Sequence, residues 1–201
     1  MKVLVIKTLL IIVILSGYIV LAPSVPVGKK NAALTKQIDS MFKADQFWRV
    51  EFTKKQQKEK STYSDETIQS KWAEADRINK LRAKAIIKKY GYPGYDLVGD
   101  SSDSFWTIIQ HCDDDIPFQE HVLALMKKEV DKNNANKENY ALLIDRMLVN
   151  EHREQIYGTQ VHTDPKTNKV IPFPLKYPEL VDELRKEVGL EPLDTYIKKF
   201  G

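Results

Sequence analysis

The chain has 201 residues, 42% hydrophobic and 29% charged, a composition that excludes wholesale disorder and suits one domain plus a leader. The formal net charge is +3; because Lys2 and Lys7 lie in the leader, the body is nearly neutral and has no basic face for nucleic acid. The single cysteine, Cys112, excludes an intramolecular disulfide, so the fold must stand on its hydrophobic core.

Residues 1–7 carry Lys2 and Lys7, and residues 8–22 are almost unbroken apolar chain. This is the pattern of an export signal, with small Ala22 and Ser24 placed for cleavage after Ser24. A retained membrane anchor shares these features. The apolar run is shorter than the ~20 residues a spanning helix needs, but it approaches that length if residues 3–6 join it and Lys7 snorkels. Either reading puts the body outside the cytoplasm, periplasmic or otherwise extracytoplasmic, free or tethered by its N-terminus. We therefore expect a leader over residues 1–24, a linker over 25–30 and one domain over 31–201.

Within that domain, residues 31–60 read as a long helix. Leu34, Ile38, Met41, Asp45 and Phe52 fall near one stripe, and its lysine-rich end is solvated. Ser64 or Asp65 caps a second helix whose seam is Ile68, Trp72, Ala75, Ile78, Leu81 and Ala85; it ends at Tyr90-Gly91. After a Tyr92-Pro93-Gly94 turn and a connector, a short helix capped by Ser102 or Asp103 carries Phe105, Trp106, Ile108 and Ile109 and ends near His111. A helix opens at Ile116-Pro117 with Phe118, Val122, Leu125 and Met126 inward. The next carries Tyr140, Leu143, Ile144, Met147 and Leu148. Residues 156–162 and 169–173 read as a β-hairpin around the D-P-K-T-N turn, with Pro172 confining the second strand to an edge. Pro178 opens a helix closed by Gly189, and residues 192–200 form a last short one. The expected fold class is mainly α: a multi-helix domain with one small β-hairpin near its C-terminal end.

Three places could carry chemistry. Asp145-Arg146 borders an apolar stripe. It reads either as a boundary ion pair or as an Arg fork for a carboxylate or phosphate, with Asp145 orienting a neighbour. In Gln155-Ile156-Tyr157-Gly158-Thr159-Gln160, strand geometry would set Gln155, Tyr157 and Thr159 on one face; that face is either simply wet or reads a sugar, peptide or amide. Gln110-His111 ends a helix. His111 there is either a capping residue, made more basic by the helix C-terminus, or a general acid or base. The latter role needs a carboxylate, for which Asp45, Asp76 and Asp145 are the candidates. His111, Asp113 and His121, or His152 and His162, do not have metal-ligand spacing, and Cys112 beside His111 is no nucleophile pair. No metal and no cofactor is expected.

The chain resembles a bacterial domain-of-unknown-function family marked by D-R followed by Q-x-Y-G-T-Q, here Asp145-Arg146 and Gln155 to Gln160. Asp45-Gln46 with Arg49, Asp76, Tyr90-Gly91 with Pro93, Gly99, Trp106, Gln110-His111, Gln119, Arg185 and Gly189-Leu190 also match. Residues 150–153 depart from the pattern where a glycine would be expected. The resemblance implies a shared fold and a shared polar set rather than a reaction. It groups Asp45, Gln46, Arg49, Gln110, Arg146, Gln155, Tyr157, Thr159 and Gln160 as ligand-binding residues around His111, Asp145 and Asp76 as catalytic ones.

Two functions of different class follow. The first is a polar ligand-binding or hydrolase-like cleft, with His111 as acid or base, Asp145 or Asp76 orienting it, and water as nucleophile. Its partner would be a small polar ligand, a peptide or a glycan. The second is a non-enzymatic structural or protein-interaction module of the cell envelope, in which the same polar residues lock the hairpin onto the helices. In both, the membrane is met only through the N-terminal segment if that is retained.

Overall fold

The computed structural model describes residues 30–200; the expected leader and the linker before Lys30 lie outside the described residues. Helix α1 spans Ala32–Gln56 and α2 Asp65–Tyr90. Each begins on a side-chain cap: Asn31 accepts from the Leu34 amide at 3.1 Å and Ser64 from the Thr67 amide at 3.2 Å, pairing donors that a helix N-terminus leaves orphaned. Helix α2 stops at Gly91, whose φ of +70° suits a residue without a Cβ. A one-turn helix α3, Tyr95–Val98, lies within the segment expected to be a plain connector. Then come α4 (Ser101–Gln110), α5 (Ile116–Val130) and α6 (Lys137–Asn150).

Helix α1 packs on α2 and α4, α5 packs on α6, and α4 touches both halves. The shared core is the convergence of the apolar stripes: Ile38, Met41, Phe105, Ile109, Met126 and Leu143 are fully enclosed. Among the described residues no helix is long and apolar enough to cross a membrane.

The C-terminal part holds the hairpin. Strand β1 (Val161–Thr163) pairs antiparallel with β2 (Val170–Pro172), with His162 opposite Ile171. The observed strands are shorter than the sequence led us to expect. Residues 155–160 are not strand apart from one isolated parallel bridge, Gln155 to Leu175. A 3-10 turn, Pro178–Leu180, leads into α7 (Val181–Glu187), and α8 (Leu193–Ile197) closes the described chain. The domain is thus mainly helical with one small hairpin near its C-terminal end.

Candidate functional site

The stripe that puts Leu34, Ile38 and Met41 of α1 into the core continues to Asp45 and Arg49, which are 1% and 4% exposed. One face of one helix therefore changes from apolar to charged at the point where α4 ends. Asp76 of α2 and His111 at the end of α4 meet it there. His111 Nδ1 lies 2.9 Å from Asp45 Oδ1. Arg49 Nη1 reaches the same oxygen at 3.0 Å, and the Arg49 fork holds Asp76 through Nη1 at 3.0 Å and Nη2 at 3.2 Å. Gln46 Nε2 donates to Asp45 Oδ2 at 2.7 Å. The Arg49 guanidinium lies over the Trp72 ring, 4.8 Å from its centroid, and the Asn79 amide donates to the Met41 carbonyl at 3.0 Å. His111 thus takes its carboxylate from Asp45, rather than from Asp145 or Asp76.

The backbone of His111 caps α4, donating to the Ile108 carbonyl at 3.2 Å, while its ring turns inward with 5% side-chain exposure. Nε2 has no hydrogen-bond partner among the described residues. The sequence pointed to a helix terminus that raises the basicity of His111. Instead, burial lowers its pKa, outweighing the Asp45 hydrogen bond and charge, with Arg49 and Arg146 adding to the lowering. Burial also raises the Asp76 carboxyl, against the pull of Arg49. Asp76 is only partly buried, its side chain 28% exposed.

Arg146 has its fork already filled. Its Nε and Nη2 donate to Asp113 Oδ1 and Oδ2 at 2.8 and 2.5 Å, and Asn150 supports the same carboxylate at 3.0 Å. Gln119, fully buried on α5, donates to the Ile109 carbonyl at 3.0 Å. Arg146 is paired with Asp113 and not with Asp145, and its charge is felt at His111. The side chain of Gln110 makes no hydrogen bond among the described residues and is half-buried on the last turn of α4.

Asp145 points elsewhere, because neighbours on a helix project about 100° apart. Its carboxylate accepts from the backbone amides of Ile156 (2.8 Å), Tyr157 (3.0 and 3.1 Å) and Thr159 (2.9 Å), and from the Thr159 hydroxyl (3.0 Å). Burial raises its pKa against these donors. The turn 155–160 wraps around that carboxylate, so the alternating strand faces expected for Gln155, Tyr157 and Thr159 do not form. The Gln155 amide donates to the carbonyls of Gln160 and Phe173, both at 2.9 Å, and its Oε1 accepts from the Gln160 amide. Gln160 Nε2 donates to the Thr159 hydroxyl at 3.1 Å. Arg185, with no exposure, donates to the Tyr157 carbonyl at 2.6 Å and to the Glu191 carbonyl at 2.6 Å; the Tyr196 hydroxyl donates to the Thr159 carbonyl at 2.9 Å.

The polar residues therefore form two separate sets. Asp45, Gln46, Arg49, Asp76 and His111 make one, with Arg146 and Gln110 at its margin. Asp145, Gln155, Tyr157, Thr159 and Gln160 make the other, a lock on a turn. Arg185 and Asp113 were not singled out as functional from the sequence. Arg185 carried a signal, since it sits on the stripe of Val181 and Val188. Two surface depressions of about 410 and 400 Å³ are lined by Asp182, Lys186 and Leu190 and by Val149, His152 and Phe173 respectively, and neither is lined by a residue of the Asp45–His111 set.

Fold and site define a mainly helical domain with a buried Asp–His pair in its bundle and a carboxylate-tied turn beside its hairpin. Residues 32–201 match the family described as "Family of unknown function (DUF6624)", and the chain belongs to that family. No curated protein and no solved structure matches the chain.

Proposed function

We propose that the domain binds a small polar ligand at the Asp45–Arg49–Asp76–His111 cluster and acts on it by general acid–base chemistry. The observation that carries this reading is His111, held through Nδ1 by a buried carboxylate while Nε2 is unpartnered among the described residues. With the Nδ1 proton committed to Asp45, the Nε2 lone pair is free to take a proton from water or from a ligand hydroxyl. The burial-lowered pKa keeps that lone pair available near neutrality. Arg49 positions both carboxylates, Asp76 meets the ligand at the open edge, and Gln46, Gln110 and Arg146 stand at the rim. No activated side-chain nucleophile accompanies His111: burial pushes the Cys112 thiol up to about 12, so water is the attacking group. The leader supports a site outside the cytoplasm, either released or tethered.

A thermal-shift screen of peptides, glycans and cell-wall fragments tests the reading. A hit that raises the melting temperature and is turned over by the wild type, but is only bound by His111→Gln, is expected. Turnover that survives His111→Gln would sink it. For the 155–160 turn the structural-module reading is the better supported, because the acceptors of Asp145 and the amide of Gln155 are already satisfied by the chain itself.

A further inference from the structure

We infer that the ligand taken by the Asp45–His111 cluster carries a cationic amine. The inference rests on the acid–base reading above and adds a count of charge. Two carboxylates, Asp45 and Asp76, share the single guanidinium of Arg49. The neighbouring charges cancel in pairs: Arg146 with Asp113, and Lys80 with Asp114. With His111 neutral, the enclosed set holds one negative charge in excess, and an uncompensated buried charge is costly.

Three cations could compensate it: a proton on His111, a proton on Asp76, or a positive group on a ligand. A proton on Asp76 would set an O–H against the Arg49 fork, which donates to both of its oxygens, turning one acceptor into a clashing donor. A proton on His111 charges a ring that is 95% enclosed, since its side chain is 5% exposed, and so meets the desolvation cost directly. An ammonium entering past Asp76 donates to that carboxylate and to the unpartnered Nε2 of His111, and balances the set with both protein groups left in the states their hydrogen bonds favour. An anion would add to the excess. The ligand cation and the His111 proton therefore compete for one place.

The test is an NMR titration of His111 in the full chain labelled with 15N-histidine, its ring signals assigned with His111→Gln. Methylammonium chloride, sodium acetate and methanol are compared at equal ionic strength. Methylammonium should lower the pH of half-protonation by about 0.3 of a pH unit when its concentration equals its Kd, as linkage between competing cations requires. Acetate and methanol should not lower it. Asp76→Asn, which removes the excess charge, should abolish the methylammonium response, and Asp76→Glu should retain it. A response to acetate or methanol without one to methylammonium overturns the amine inference and leaves the site reading standing. No response to any of the three overturns both. The three-probe comparison in the wild type decides the matter even if an Asp76 variant does not fold.

Discussion

Asp145 accepts from three backbone amides and one hydroxyl inside the protein, and an asparagine there would turn one oxygen into a donor facing other donors. Asp145→Asn should cost about 3 kcal/mol, from buried groups left without partners, read as a drop in the denaturant midpoint at unchanged m-value. Thr159→Val, which removes only the hydroxyl, should cost about 1 kcal/mol. His111 makes a pH prediction. Its folded pKa is lowered from 6.5 by burial, so its contribution to stability is fully present above the unfolded value. That contribution is lost as pH falls from about 6.5 toward the folded value. Urea denaturation between pH 8 and pH 5 should show a fall in stability in the wild type that is reduced in His111→Gln; identical pH profiles would remove the assignment.

At the scale of elements, the helices were legible because their apolar residues repeat at helical spacing and their caps are local. The four-residue α3 was not, since one turn carries no periodicity. The 155–160 turn was misread as strand for a different reason. Its amides bond a carboxylate more than ten positions upstream, and no local pattern announces that. Gly158 in this turn has φ +68°, and a Cβ there would lie 2.8 Å from Leu193 Cδ1; Gly158→Ala should therefore destabilise by about 1–2 kcal/mol. Arg185 ties α7 to the same turn and to Glu191. Arg185→Ala should accelerate hydrogen exchange at residues 156–160 and leave α1, α2 and α4 protected, because the bundle core does not include it.

For the molecule as a whole, the site was partly legible. Asp45 stood on an otherwise apolar stripe, an anomaly that does point inward, and His111 ended a helix against it. The grouping of every polar residue into one cleft did not follow from sequence, because side-chain direction on adjacent positions decides it. That division is measurable. Among the described residues the two sets share no hydrogen-bond partner, so the effects of His111→Gln and Asp145→Asn on stability should add within about 0.5 kcal/mol in a double-mutant cycle; a larger coupling would reunite them.

The Asp145 tie also bears on solubility. Residues 155–160 run directly into β1 of a two-stranded sheet, where an extended segment would offer unpaired N–H groups to a second chain. Asp145 occupies the amides of Ile156, Tyr157 and Thr159, so the hairpin cannot lengthen into a recruiting edge. Freeing those amides should favour self-association, so the aggregation rate of Asp145→Asn, followed by light scattering, should exceed that of Gly158→Ala, whose amides keep their acceptor.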